Sequence, residues 1–73
     1  MAQASYARAA ISLTGKERHV LELVAHGKSN KEMGKLLGTT PETIKSHMKN
    51  IFSKLNVNSR AQAAVVAKSS GLI

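Results

Sequence analysis

The sequence predicts an all-α domain of four helices, and three observations carry that prediction. Helix-start signatures recur at Thr14, Ser29, Thr40 and Ser59, and residues suited to ending a helix stand at Gly27, Gly38, Asn56 and Gly71. Between them, apolar residues recur at the i, i+3, i+4 spacing of helices with a buried face. No internal repeat, low-complexity tract or strand signal interrupts this order.

Met1 to Ser12 holds alanines, polar residues and one arginine without a cap signal or clean periodicity, and reads as a tail or the end of a linker. The domain is expected over residues 13–73. Thr14-Gly15-Lys16-Glu17 is a Thr-x-x-Glu capping box, in which each side chain satisfies an orphan amide of the first turn. Leu13 is placed to act as a staple before it, and Val20, Leu21, Leu23 and Val24 supply an apolar stripe, so the first helix is expected from Gly15 to about His26. Ser29-Asn30-Lys31-Glu32 repeats the box, with Met33 and Leu37 four apart and Gly38 as the stop. Gly34 inside this second helix costs roughly 1 kcal/mol relative to Ala, which makes sense where another backbone approaches closely.

Thr40 then stands as an N-cap with Pro41 at the favoured first helical position, so only a tight turn separates the second and third helices. That is the spacing of a helix-turn-helix. At about 100° per residue, the helix from Pro41 to Leu55 puts Ile44, His47, Met48, Ile51, Phe52 and Leu55 on one side. Glu42, Lys45, Ser46, Lys49, Asn50 and Ser53 fall on the other. Asn56 suits a left-handed helix stop and Val57 suits a return to the core. Ser59-Arg60-Ala61-Gln62 opens a fourth helix that runs to about Ser70.

Composition narrows the function classes. A chain of 73 residues holds one domain with one modest core. With no cysteine there is neither a disulfide nor a thiolate zinc site, which agrees with a reducing cytoplasm, and the core must be aliphatic because Tyr6 and Phe52 are the only aromatics. No apolar run approaches the ~20 residues that span a bilayer, and Met1 to Ile11 lacks the apolar stretch of a signal peptide. His19, His26 and His47 are scattered and bring no cysteine or aspartate, so no metal is expected. There is no nucleophile paired with a base, no carboxylate pair and no phosphate-cradling glycine loop, so neither an enzyme nor a cofactor is expected.

Charge is the most informative bulk property. Eleven Lys and Arg stand against four acids, a formal net charge of +7. The acids are Glu17, Glu22, Glu32 and Glu42, so everything from Thr43 onward is purely positive, with Lys45, Lys49, Lys54, Arg60 and Lys68. Charge alone fits a polyanionic partner and a face that merely keeps the domain solvated equally well, so the spacing of the residues must decide.

Taken together, Leu13-Thr14-Gly15-Lys16-Glu17 with Val20-Leu21, Gly27-x-Ser29-Asn30-Lys31-Glu32, and Thr43-Ile44-Lys45-Ser46-His47 with Ile51, Lys54-Leu55 and Val57 resemble the LuxR/GerE-type regulator domain. The resemblance covers Leu13 to about Leu72. It implies a transcription regulator that binds double-stranded DNA, with the third helix in the major groove and the fourth pairing two copies. By position, base contacts would fall on Lys45, Ser46, Lys49 and Asn50, and phosphate contacts on Asn30, Lys31, Thr40, Thr43 and Lys54. Thr39 departs from the Ile or Val usual in the turn, Asn56 from the usual Gly, and Pro41 departs mildly and helps helix initiation.

Each of these residues also has a plainer role. Lys45 and Lys49 can be a solvated strip, although they lie opposite the core stripe with only Glu42 beside them. Lys donors match guanine O6 and N7 in the major groove, whereas Ser46 suits base or phosphate alike. Capping alone accounts for Thr40, and His47 is expected half-buried at the edge of the stripe. The fourth helix is apolar on more than one face, which implies a homodimer contact at Ala61, Ala64 and Val65 unless the helix is fully covered within the domain. Two alternatives stand beside the regulator: a sigma-factor-like promoter-reading domain, with RNA polymerase as a partner, and a basic protein-interaction module docking on an acidic surface. The alanine-rich fourth helix favours the regulator.

Overall fold

The computed structural model describes residues 12–71, which form four helices: α1 Gly15–Ala25, α2 Asn30–Leu37, α3 Pro41–Leu55 and α4 Arg60–Ser69. The all-α class and the helix order match the sequence reading, with α1 and α4 each ending one residue earlier than expected. The expected tail lies outside the described residues apart from Ser12, which is exposed.

Both predicted capping boxes form. Thr14 Oγ1 accepts from the Glu17 amide at 3.1 Å while the Thr14 amide donates to Glu17 Oε1 at 2.9 Å, and Ser29 and Glu32 repeat the exchange at 3.1 and 2.9 Å. Thr40 Oγ1 accepts from the Thr43 amide at 3.2 Å above Pro41. The Ser59 start differs in one respect. Its hydroxyl accepts from the Gln62 amide at 3.2 Å, but the Gln62 side chain reaches back to the Asn58 amide at 2.8 Å instead of that of Ser59. Ser59 is more extended, at φ −148° against −69° and −80° at Thr14 and Ser29, and this turns the preceding peptide so that the Asn58 amide is the one within reach.

The helix stops are left-handed where the sequence places them. Gly27 has φ 81°, and the Lys28 amide donates to the Leu23 carbonyl at 3.0 Å. Asn56, at φ 58°, closes α3 in the same way, with the Val57 amide donating to the Phe52 carbonyl at 3.0 Å. Asn is among the few side-chain-bearing residues that adopt this region at small cost, so the departure from Gly is absorbed.

The longest helix, α3, is the spine. It packs against α1, α2 and α4, and α1 also packs against α4. The buried core is Val20, Leu21, Val24, Met33, Ile44, Met48, Ile51, Leu55, Ala63 and Ala67, with Leu13, Leu23, Leu37, Phe52, Val57 and Val66 packed at its edge. Four of the six stripe residues predicted for α3 are buried, and His47 and Phe52 are half-buried at its margins. Ile44 and Ile51, seven residues apart and fully buried, each contribute about 1.5–3 kcal/mol by leaving water.

The turn between α2 and α3 is set by Gly34. A Cβ at that position would lie 2.9 Å from the Thr39 carbonyl oxygen, 3.3 Å from the Thr40 carbonyl carbon and 3.4 Å from the Pro41 nitrogen, all backbone atoms. The Gly34 carbonyl accepts the Gly38 amide and, at 2.8 Å, the Thr39 amide, so the chain folds back directly onto the helix it has left. Gly34→Ala is therefore expected to destabilise the domain by up to about 2 kcal/mol, because overpacking of about 1–3 kcal/mol is offset by a helix-propensity gain of about 1 kcal/mol. Urea or thermal unfolding measures this, and a variant at least as stable as the parent would mean that the turn can move aside.

Candidate nucleic-acid interface

The outer strip of α3 is as the helical wheel requires: Glu42, Lys45, Ser46, Lys49, Asn50 and Ser53 are all exposed, opposite the buried stripe. A surface groove of about 590 Å³ brings Asn30, Lys45, Ser46, Lys49 and Arg60 together around a floor of Met48 and Phe52, with Glu42 at its rim. The start of α2, the outer face of α3 and the start of α4 thus share one surface. Lys45 and Lys49 lie one turn apart on it, so two cations are presented on one strip.

Thr40 and Thr43 are exposed at the start of α3, with hydroxyls 3.1 Å apart, and Lys31 is exposed in the first turn of α2. Asn30 is half-buried, and its Oδ1 accepts from Arg60 Nη2 while Arg60 Nη1 donates to the Lys28 carbonyl at 3.0 Å. Four of the five predicted phosphate-contact residues therefore cluster at the starts of α2 and α3, where unpaired amides and the helix dipole favour an anion.

Lys54 does not join them. Its ammonium lies 2.7 Å from Glu17 Oε1, on a side chain 37% exposed paired with one 7% exposed. The charge that the sequence places on phosphate is matched within the fold, where it ties the last turn of α3 to the first turn of α1. Burial pushes the Glu17 carboxyl up, but hydrogen bonds from Lys54 and the Thr14 amide, with the Lys54 charge, outweigh it and hold the group below its ordinary value of 4.5. Glu32 is also lowered, chiefly by the Ser29 amide.

On α4, Ala63 and Ala67 face the core, Ala64 is half-buried, and Ala61 and Val65 are exposed, Val65 at 65%. The helix has a second apolar face, and Ala61 and Val65 border a groove with Asn56, Val57 and Asn58. His19 and His26 are exposed, and among the described residues no cluster of His, Cys, Asp and Glu has the arrangement of a metal site. No helix among them is long and apolar enough to cross a membrane.

Two contacts were beyond the sequence reading. Glu17 reads fully as a capping-box residue, so nothing in its local pattern signals a partner 37 positions away. Arg60 reads only as one more positive charge, although it is the single arginine in the all-positive half of the chain, where a planar fork of donors is the group suited to bridging two acceptors.

Comparison with known proteins follows this geometry closely. The family model described as bacterial regulatory proteins, luxR family, matches residues 11–67. The transcriptional regulatory protein LiaR of Bacillus subtilis (strain 168) is 50% identical over 62 residues, covering 85% of this chain and 29% of that protein. The transcriptional regulatory protein DegU of Brevibacillus brevis is 41% identical over 61 residues, covering 84% of this chain and 26% of that protein. This chain therefore spans less than a third of these relatives. The solved structure of the transcription factor GerE superposes with a TM-score of 0.77 at 32% identity, covering 82% of this chain and 90% of that one.

The pairing of Glu17 with Lys54 implies a defined acid response. A carboxyl lowered on folding contributes stability that is fully present above its unfolded value, near 4.5, and is lost as pH falls below that through the folded value. Glu17→Gln should lower stability at neutral pH by about 1–2 kcal/mol, the small end for a charged hydrogen bond because Lys54 is partly solvated. It should also flatten the loss of stability between pH 5 and pH 3. Thermal melts across that range check it, and an unchanged acid slope would mean that the pair contributes nothing on folding.

Proposed function

The chain belongs to the luxR family of bacterial regulatory proteins, and from that premise we propose that it reads a two-fold operator as a dimer, with α3 in the major groove of each half-site. At the coarser level, the described residues form a LuxR-type helix-turn-helix DNA-binding domain, and the family is one of transcription regulators. The observation that supports the finer reading is the exposed strip of α3, set at an angle by the tight turn after Gly38 and free of internal ion pairs among the described residues.

On this reading Lys45 and Lys49 donate to guanine O6 and N7, and Asn50 is suited to the N6 and N7 edge of adenine. Ser46 bonds to a base or to the adjoining backbone. Asn30, Lys31, Thr40 and Thr43 fix the register on phosphates, which carry no sequence information themselves. The second apolar face of α4, with Ala61, Ala64 and Val65, pairs two copies. Small residues let two helices approach closely, and a two-fold axis there spaces the α3 helices for half-sites about 10 bp apart. That face favours a dimeric regulator over a promoter-reading domain that works as a monomer on RNA polymerase. The reading extends to a domain over residues 13–73 preceded by a tail or linker over residues 1–12 and to work in the bacterial cytoplasm, where the DNA is. On this reading its regulation comes from a separate domain, a partner or the abundance of the protein.

Lys45, Lys49 and Lys68 carry equal charge, but only the first two lie on the α3 strip. On a preferred duplex, Lys45→Ala and Lys49→Ala should each cost about 1–3 kcal/mol and relax preference at one or two base pairs, while Lys68→Ala costs far less. Affinity should fall steeply with salt for all of them, with a log–log slope of about several units for the dimer. Equal small losses at the three positions would leave only a diffuse basic surface and overturn the reading of α3. Val65→Glu tests the pairing separately: full-site binding should weaken by about 1–3 kcal/mol, since the substitution buries two like charges at the contact, while half-site binding survives. Unchanged full-site affinity would move the dimer contact off α4.

A further inference from the structure

We infer that Arg60 is a positioning residue for DNA, acting through Asn30, an inference that rests on the phosphate contact proposed above for Asn30. Arg60 opens α4, yet its guanidinium crosses to the segment that leads into α2. There Nη1 donates to the Lys28 carbonyl at 3.0 Å and Nη2 donates to Asn30 Oδ1. A guanidinium carries donors only, so the Asn30 atom facing it is the oxygen, and the amide is fixed in orientation. What Asn30 then has left to offer is its Nδ2 donor pair. A phosphate diester oxygen accepts and does not donate, so the contact leaves the half of the amide that suits a DNA backbone.

The placement supports the same conclusion. Asn30 and Arg60 line one groove with Lys45 and Lys49, although α2 packs chiefly on α3 and has little packing with α4. The Arg60 fork is therefore the tie between the two helix starts that flank the α3 strip. Holding the amide before DNA arrives removes the cost of ordering it on binding. Both acceptors are neutral, so the Arg60 charge stays uncancelled within the fold, unlike that of Lys54. A lysine in its place keeps the charge but is a point donor on a flexible stem and cannot span the two acceptors in the same way.

The test measures duplex affinity against salt, together with thermal unfolding, for the 73-residue chain carrying Asn30→Ala, Arg60→Lys or both. Asn30→Ala should weaken binding about tenfold, the scale of one hydrogen bond to a charged group. Arg60→Lys should weaken it several-fold at an unchanged salt slope, and the double variant should bind no more weakly than Asn30→Ala alone, because no amide remains to be positioned. Losses that multiply in the double variant would mean that Arg60 acts on the fold or on DNA independently of Asn30, and would overturn the inference. Arg60→Lys binding as tightly as the parent would overturn it too, since charge would then suffice. An Asn30→Ala variant that binds normally would remove the phosphate contact itself, and the inference with it. Multiplied losses beside a weakened Asn30→Ala would leave that contact standing and sink only the role of Arg60.

Discussion

The approach of the α3 start onto Gly34 is the constraint from which the rest of the domain follows. With the Thr39 carbonyl oxygen 2.9 Å from where a Cβ would stand, the backbone of the turn between α2 and α3 lies against α2 too closely for a Cβ to fit without a shift. The stretch between them is only Gly38, Thr39 and Thr40, and its geometry is fixed at both ends: by the left-handed Gly38 whose amide returns to the Gly34 carbonyl, and by Pro41, whose ring holds φ near −65°. Such a turn has little freedom to flex. The angle at which α3 leaves α2, and so the direction its outer strip faces, is a property of backbone packing and not of the residues on that strip. The strip is then free to vary in chemistry without disturbing the fold that presents it.

Charge is distributed by the same division of labour. Glu17 accepts the Thr14 amide to start α1 and the Lys54 ammonium to anchor the end of α3, so one carboxylate oxygen serves a local and a long-range purpose. Its effect is to remove one cation from the outward field at the far end of α3 while Lys45 and Lys49, nearer the helix start, remain uncancelled. Glu42 is the acid that remains on the α3 strip, in the first turn, where a carboxylate complements the helix dipole. Lys45 and Lys49 on α3 and Lys31 at the start of α2 thus stay exposed, and unpaired among the described residues, on the surface that would meet a duplex.

Much of this was legible in the sequence because the deciding signals are local. Capping boxes, left-handed stops and a 3.6-residue apolar period each act within about four residues, and they located four helices to within one residue at each end. The Gly34 contact was legible too, because a glycine where Ala is better demands a reason. The wheel separated the Lys45, Ser46, Lys49 and Asn50 strip from the core without any knowledge of the other helices. What stayed hidden were the contacts that span tens of residues. Glu17 was already explained by Thr14, and Asn30 by its place after Ser29, so neither called for a distant partner. Lys54 carries the same charge as Lys49 and sits five residues on, and only the packing of α1 beside the last turn of α3 sets the two apart. The Gln62 side chain shows a smaller failure of the same kind, since the choice between the Asn58 and Ser59 amides turns on one backbone angle.

The two faces of α4 follow from having so small a core. A helix of ten residues that gives Ala63 and Ala67 to the interior lies close against α1 and α3, since alanine holds it no further away than its methyl groups. The opposite side then carries Ala61 and Val65, again small, with Val65 the larger apolar group left open. Burying Val65 from both copies would contribute roughly 3–6 kcal/mol, which only reaches the low end of the roughly 4–15 kcal/mol cost of immobilising two bodies in solution. A face of this kind holds two copies together only when something else brings them into register. On the proposed reading a duplex with two half-sites would do so, because each copy would arrive already oriented by α3. On the proposed pairing, so weak an α4 face would make pairing depend on the spacing of the DNA sites, and spacing would become part of what the domain recognises.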